Sequence, residues 1–447
     1  MISLMNRLEN NSVNMKIVRD ESGKMIQSAE GILCEYVDSD GNTTLKFVQT
    51  TDSCCSESLS EIESENIMPC STIVNTTQEN NFKNVQKFII AHDFLFSSSD
   101  SSDEELQYLL VQKRKIPRMK HFIRDVIDQY TAEESQRHFR LSRKICKRII
   151  NLFKQSKYCP KGLRGRNNKT PKEHVLVFLW FAANKTVLRS VADRFDMQIA
   201  TVHQIIKRVT NFLIDLAPSI IRFPVTEQER QEKAQEFRNI CEIDGIVGCI
   251  DGMYISIRTP VKKIRHTYVN RHDETALTLQ GICDAKKGFI DCFTGVSSKC
   301  HDARVYDMSF IKEKVSGMGD YYHIIGDAAY PISTNLLTPY SGNQLTPVQA
   351  NFNYHFCTAR VKIENAFGLL KCRFRQLTRL DMWSVTLMSK FIISCCVLHN
   401  LCIEENDILD FCEYEELPFP IQQCTYSNNR IRMLGQMKRD RIAFDLI

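Results

Sequence analysis

Hydrophobic residues recur at helical spacing through the middle of the chain. Behind Ser142, a favourable residue for a helix start, Ile145, Ile149, Ile150 and Phe153 form an apolar stripe with Lys and Arg on the opposite face. Apolar side chains that return every three or four residues are typical of an amphipathic helix. The pattern therefore predicts a helical region from about residue 106 onward.

Three closely spaced helices are predicted next, at 171–183, 187–195 and 200–209, with a tight turn at 196–199. A short helix, a turn and a helix that begins with polar residues resemble a helix-turn-helix motif, here about 171–212, whose second helix enters the DNA major groove. The alternative is an ordinary helical hairpin. The side chains expected to face DNA are Thr201, His203, Gln204, Lys207 and Arg208.

Alternation of apolar and polar residues replaces the helical pattern after residue 243. Strands are predicted at 247–259, 276–283 and 288–296, a helix at 304–314, a fourth strand at 321–325, and then a large loop with helices from Arg360 onward. Three antiparallel strands followed by a helix and a parallel strand form the skeleton of a ribonuclease H-like α/β domain. We therefore predict this catalytic domain at 241–410, behind a small all-α domain.

The ends of the chain carry weaker patterns. Residues 1–112 are predicted to be acidic and largely disordered, with one possible hairpin around Asp40-Gly41-Asn42. Residues 113–240 form the basic helical region, and 411–447 a C-terminal tail.

Charge is strongly partitioned along the chain. Residues 1–112 hold 7 Lys/Arg against 18 Asp/Glu, whereas residues 113–173 hold 19 against 5. A concentrated basic block favours binding to a polyanion, because cations near phosphates release condensed counterions. The alternative is a solvated helical face. Lys161, Arg164 and Arg166 lie in a loop suited to follow a phosphate backbone.

Composition narrows the class of protein. The 447 residues are 43% hydrophobic and 25% charged, which is typical of globular proteins. The first residues lack the basic flank and apolar stretch of a signal peptide, and no apolar run suggests a membrane span. Eighteen cysteines are scattered through apolar segments, a distribution that suits reduced thiols in the nucleus or cytoplasm.

Four acidic residues stand where strands and helices would bring them together. Asp251 lies inside the first predicted strand, Asp327 just after the fourth, Asp302 before the intervening helix, and Glu364 at the opening of a later helix. Converging carboxylates bind hard divalent cations such as Mg²⁺. Asp302 could instead cap its helix.

Several ordered motifs carry a resemblance to a known family. They are Ile250-Asp251-Gly252, Asn270-Arg271, His301-Asp302-Ala303-Arg304, Gly326-Asp327-Ala328-Ala329-Tyr330-Pro331, Ile363-Glu364-Asn365-Ala366-Phe367-Gly368 and Leu398-His399-Asn400. Residues 246–404 resemble the DDE domain of the PIF/Harbinger transposase superfamily, and more closely the Harbinger transposase-derived nucleases. A weaker likeness extends upstream to about residue 115.

The resemblance implies a DNA nuclease that uses Mg²⁺ or Mn²⁺. It implies that Asp251, Asp327 and Glu364 are the catalytic acids, and that Asp302 is a fourth metal ligand. Arg360, Lys371, Arg373 and Arg375 lie near Glu364 on the same basic helix, and we expect them to hold the DNA strand. A Myb-like DNA-binding partner is also implied. The alternatives are a domesticated transposase that binds DNA without cutting it and a protein-interaction scaffold.

Overall fold

A computed structural model of the protein describes residues 31–37, 43–49, 117–161, 169–259, 268, 274–342, 344–382, 384–407, 409 and 429–446. The chain divides into two compact units, 1–111 and 112–447. In the first unit, strands β1 (Gly31–Val37) and β2 (Thr43–Gln49) pair antiparallel, which confirms the predicted hairpin. The Asp40-Gly41-Asn42 turn and the segments predicted to be disordered lie outside the described residues.

The second unit begins with a series of helices. They are α1 (Phe122–Asp125), α2 (Ala132–Phe139), α3 (Arg143–Gln155), α4 (Pro171–Ala183), α5 (Leu188–Arg194), α6 (Ile199–Ile220) and α7 (Glu227–Cys241). Three of them, α2, α4 and α7, start with a capping box. Thr170 accepts a hydrogen bond from the Glu173 amide, and the Glu173 side chain accepts one from the Thr170 amide. Such a capping box stabilises a helix N-terminus. It fixes the start of α4, whose bounds match the prediction.

A mixed sheet follows the helices. Its strands are β3 (Ile246–Ile257), β4 (Ala276–Cys283), β5 (Phe289–Ser297), β6 (His323–Ile325), β7 (Leu336–Leu337) and β8 (Arg379–Leu380). The order is β5-β4-β3-β6-β7, with β8 beside the end of β3. Strands β3, β4 and β5 are antiparallel, and β6 runs parallel to β3. This confirms the predicted order of three antiparallel strands, a helical segment and a parallel fourth strand.

Helices cover the sheet and complete the unit. They are α8 (Asp302–Met308), α9 (Ile311–Ser316), α10 (Pro347–Arg373), α11 (Val385–Glu404) and α12 (Asn429–Asp445). The predicted single helix at 304–314 is wrong, because Phe310, with φ of 39°, interrupts it between α8 and α9.

The prediction that a large loop extends to Arg360 is also wrong. Helix α10 begins at Pro347, thirteen residues earlier, and Glu364 lies well inside it. Thr346 and Gln349 form a capping box, and Pro at the first helical position needs no hydrogen-bond partner for its nitrogen. This start signal, Thr-Pro-Val-Gln, was present in the sequence.

The predicted helix-turn-helix segment and the sheet share one hydrophobic core. Phe178 and Phe181 of α4 each place their ring centroid 5.6 Å from that of Phe391 on α11. Helix α11 has the length and composition of a membrane span, but 72% of its apolar window is buried inside the protein. Its continuous hydrophobicity therefore fits a central core helix.

The last helix, α12, is fixed beside β7, the edge strand of the sheet. The Lys438 ammonium group donates to the backbone carbonyls of Asp320 (2.6 Å) and Thr334 (2.7 Å), among other carbonyls there. A Cβ at Gly435 would lie 2.8 Å from the Ser333 backbone, so only glycine allows the helix to approach this closely. The sequence pattern had indicated only a tail here.

Candidate active site

Strand register brings Asp251 and Asp327 to the same level of the sheet. Cys249 of β3 pairs with Ile325, the last residue of β6; Asp251 lies two residues further along β3, and Asp327 lies two residues beyond the end of β6. Because the two strands are parallel, this pairing places both acids at the same end of their neighbouring strands. The two carboxylates interact electrostatically. The Asp251 Oδ1 accepts the Gly252 amide at 2.8 Å, and the Asp327 Oδ1 accepts the Ala329 amide at 3.0 Å.

Asp302 approaches the same site from helix α8. It is the first helical residue, whereas His301 holds the N-cap position and makes no side-chain capping bond. Its Oδ1 lies 2.5 Å from the position that a Cβ would take at Gly252. Asp302 therefore contacts strand β3 beside Asp251, and the electrostatic interaction between the two acids agrees with this placement.

Glu364 reaches the site from α10, and Arg360 accompanies it. Helix α10 crosses β3 close to Asp251, since the Cys249 thiol donates to the Ala359 carbonyl at 3.2 Å. Arg360 Nη2 contacts Glu364 Oε1 one turn away, and Arg360 Nη1 lies 3.7 Å from Asp251 Oδ2. One guanidinium group thus bridges two of the acids. We call Asp251, Asp302, Asp327 and Glu364 the carboxylate cluster.

Burial perturbs the acids of the cluster. It raises the pKa of Asp251 to about 8, reinforced by the negative charge of Asp327 and opposed by Arg360. Burial also raises the pKa of Asp327, against the lowering effects of the Ala329 amide and Arg360. Carboxylates that are withdrawn from water beside one another are costly to keep charged. The site therefore favours a positive charge among these oxygens.

Tyr330 also belongs to the site, a role that was not predicted from the sequence. Its side chain is 2% exposed, and its hydroxyl has no hydrogen-bond partner among the described residues. Burial, followed by the charges of Asp302, Asp251 and Asp327, raises its pKa well above the ordinary value. A buried hydroxyl without a partner costs free energy unless a ligand satisfies it. Its position three residues after Asp327 was the available sequence signal.

The donor set suits a hard divalent cation. All four members of the carboxylate cluster offer oxygen atoms, the ligand type that Mg²⁺ and Mn²⁺ prefer. Within the described ranges, no three His, Cys, Asp or Glu side chains already stand at metal-ligating spacing. Arg360 offers a physical reason, because its guanidinium lies between Asp251 and Glu364 and holds their oxygens around itself.

The residues predicted to read DNA are placed unevenly. His203, Gln204 and Lys207 are exposed on the first turns of α6, and Thr201 is half-buried. Arg208 is also half-buried, and its Nη1 lies 2.9 Å from His174 Nε2 on the neighbouring helix. Three of the five candidates therefore lie on the exposed face of the predicted recognition helix.

The basic loop and the end of α10 supply further candidates. Lys161 and Arg375 are exposed, whereas Arg164 and Arg166 lie outside the described residues. Lys371 donates to the Tyr254 carbonyl at 3.0 Å. Its ammonium group is thus directed at strand β3 rather than at solvent.

Arg373 does not have the position expected of a DNA contact. Its side chain is 4% exposed, and it donates to the backbone carbonyls of Arg140 and Asp407, each at 2.6 Å. The Asp407 carboxylate, 3% exposed, lies 3.5 Å from it. This buried group joins α10 to the helical region, so the expectation that Arg373 holds DNA does not fit its placement.

Comparisons with known proteins agree with this geometry. Residues 250–400 match the family model described as DDE superfamily endonuclease, and this segment contains all four acids of the cluster. These residues form a DDE endonuclease domain.

The chain is also homologous to Harbinger transposase-derived proteins. It is 26% identical to the rat protein named "Putative nuclease HARBI1" over 283 residues. The aligned segment covers 62% of this chain and 79% of the rat protein. The human protein of the same name is 27% identical over 53% of this chain and 68% of its own length. The "Protein ALP1-like" of Arabidopsis thaliana is 26% identical over 60% of this chain and 70% of its own length. No solved structure matches the chain.

Proposed function

We propose that this protein is a divalent-metal-dependent DNA nuclease, derived from a Harbinger-type DDE transposase and built on a ribonuclease H-like domain. The observation that carries the proposal is the convergence of Asp251, Asp302, Asp327 and Glu364 beside strand β3, within the segment that matches the endonuclease family. The names of the homologous proteins support the same activity.

In this proposal the four acids hold Mg²⁺ or Mn²⁺, and Asp251, Asp327 and Glu364 are the catalytic acids. When bound, a pair of such cations would activate a water molecule and stabilise the leaving 3′ oxygen of a phosphodiester. The Gly252 and Ala329 amides keep the Asp251 and Asp327 carboxylates in place, since each donates to one carboxylate oxygen. The second oxygen of each carboxylate accepts neither of these amides, and that of Asp251 faces the Arg360 guanidinium.

A plasmid-relaxation assay tests this function. Wild-type protein with Mn²⁺ is expected to nick or linearise supercoiled DNA, whereas EDTA, Asp251→Asn and Asp327→Ala abolish the reaction. Wild-type protein that binds Mn²⁺ and DNA but leaves the plasmid intact would contradict the nuclease and favour a domesticated, non-cleaving DNA-binding protein.

We further propose that the first turns of α6 contact DNA. The exposed His203, Gln204 and Lys207 support this, because a recognition helix presents its N-terminal side chains to base edges. Lys207→Ala is expected to weaken binding and to reduce the slope of log affinity against log salt by about 1. Lys286, which lies outside the basic block and pairs with Glu236 at 2.7 Å, provides the control substitution Lys286→Ala. Equal slopes for all three proteins would contradict the proposal.

A Myb-like partner and a nuclear and cytoplasmic location complete the proposal. Buried free thiols such as Cys249, Cys283 and Cys395 suit a reducing compartment. Imaging of the tagged protein tests the location, and purification of its complexes from nuclear extract tests the partner.

A further inference from the structure

Arg360 occupies a central position in the carboxylate cluster. It lies on α10 one turn before Glu364, and its two terminal nitrogens contact Glu364 and Asp251. Its side chain is 25% exposed, against 16% for Asp251 and 19% for Glu364. Asp327 also interacts with it electrostatically. A single guanidinium therefore serves as counter-charge to three of the four acids.

The contacts of Arg360 use the same oxygens that a cation would need. Mg²⁺ requires carboxylate oxygens at about 2.0–2.1 Å in near-octahedral geometry. A guanidinium that lies between Asp251 and Glu364 blocks this approach, and its positive charge repels a second cation. The same oxygens cannot serve both at once.

A displaced Arg360 would still lie beside the reacting centre. Its anchor on α10 is one turn from Glu364, so a change of rotamer moves the guanidinium only a few ångströms. The planar fork of arginine matches two oxygens of a phosphate group, and arginine keeps its charge at all relevant pH values. The freed group is thus suited to hold the phosphodiester next to the acids.

We propose that Arg360 is an exchangeable internal cation, which neutralises Asp251 and Glu364 until a divalent cation takes their oxygens, and which then binds the substrate phosphate. The binding of the substrate phosphate by Arg360 rests on the proposed nuclease function. The exchange between the guanidinium group and the metal does not. Binding of the metal and binding of DNA are coupled through this one side chain.

Metal affinity tests the exchange without any cleavage. Mn²⁺ binding to the full chain is measured by titration calorimetry for wild type, Arg360→Gln and the control Arg379→Gln, which removes a surface arginine paired with Asp381. Arg360→Gln is expected to bind Mn²⁺ at least about tenfold more tightly, because a unit charge about 4 Å away is removed. Arg379→Gln is expected to match wild type. Equal affinity of Arg360→Gln and wild type would overturn the proposal.

Thermal melting in EDTA and in Mn²⁺ tests the exchange even if the Arg360→Gln variant folds poorly. Without Arg360 the acids repel one another, so Arg360→Gln is expected to melt earlier than wild type in EDTA and to gain more from Mn²⁺. If it does not fold in EDTA, Mn²⁺ is expected to restore a cooperative transition. A variant that stays unfolded in saturating Mn²⁺ would contradict the exchange.

DNA binding tests the second role of Arg360. The affinity for a 20-base-pair duplex is measured in Ca²⁺ and in EDTA. Arg360→Gln is expected to lose at least about fivefold in affinity in Ca²⁺ and to match wild type in EDTA. An equal loss under both conditions would make Arg360 a constant DNA contact and overturn the coupling. Wild type that shows the exchange but never cleaves DNA would contradict the nuclease function alone.

Discussion

Gly252 and Asp302 are so close that there is no room between them for the methyl group of an alanine at position 252. A Cβ at position 252 would lie 2.5 Å from Asp302 Oδ1, well inside van der Waals contact. The glycine that follows Asp251 therefore allows helix α8 to bring its first residue against strand β3. This contact completes the carboxylate cluster.

Gly252→Ala is accordingly expected to displace Asp302 while it leaves the core intact. We expect Mn²⁺ affinity and cleavage to fall by roughly 10–100-fold, the range typical when the surroundings of a metal site are disturbed. Gly317→Ala is the matched control, because the nearest atoms to its Cβ lie at ordinary contact distance, 3.5 Å and beyond. Calorimetric Mn²⁺ titrations compare the two. Wild-type affinity in Gly252→Ala would show that Asp302 has no part in metal binding.

Substitutions of Arg373 and Arg375 are expected to have different effects, the first on stability and the second on DNA binding. Arg373→Met leaves the buried Asp407 carboxylate without its guanidinium, so the free energy of unfolding should fall by about 3–5 kcal/mol. Arg375 is exposed, and Arg375→Met should leave the melting temperature unchanged and weaken DNA binding. Thermal melts and DNA titrations of both variants check this. A stable Arg373→Met protein with weakened DNA binding would reverse the assignment.

The buried His399 predicts a loss of stability in mild acid. It is 1% exposed, its Nε2 bonds to the Lys287 carbonyl, and burial lowers its pKa from 6.5 to about 4. Between these values the unfolded chain binds a proton that the folded chain does not, so stability falls as the pH drops from 6.5 to 4. This protonation lowers the free energy of unfolding by roughly 3 kcal/mol at pH 4, and it has no effect well above pH 6.5.

Denaturant unfolding at pH 7.5, 6.0 and 5.0 measures this effect. His399→Gln is expected to be less stable at pH 7.5 but to lose less between pH 7.5 and 5.0 than wild type. The same loss in both proteins would show that another group governs the acid sensitivity.

The positions of Asp251 and Asp327 could be predicted from the sequence because both follow from local pattern. An alternating segment gave strand β3, a short apolar run gave β6, and parallel neighbours bring residues at equal register together. The capping residue of α8 could not be settled in this way. His301 holds the N-cap position, while Asp302 packs against strand β3. This packing is a tertiary contact, which the local sequence does not specify.

The surroundings of the acids depended on contacts that sequence spacing does not carry. Arg373 and Arg375 look alike in a basic segment, and only Asp407, distant in sequence, decides which of them is buried. Helical spacing places Arg360 one turn from Glu364, but its approach to Asp251 depends on how α10 packs against β3. The start of α10 was also predicted thirteen residues too late. The helix propensity of the residues predicted a helix in this segment, but the capping box at Thr346 sets where it begins.

The cleavage rate of one labelled DNA duplex, measured as a function of Mn²⁺ concentration, is the decisive test of a metal-dependent nuclease centre at the carboxylate cluster. For wild type, the rate is expected to be absent in EDTA and to rise to saturation with Mn²⁺. Glu364→Gln should lower the saturated rate by at least about 100-fold, since even partners outside the ligand shell contribute 10–100-fold, with its melting temperature in EDTA measured in parallel to verify folding. Cleavage that persists in EDTA, or that is undiminished in a folded Glu364→Gln variant, would contradict a metal-dependent nuclease centre at the carboxylate cluster.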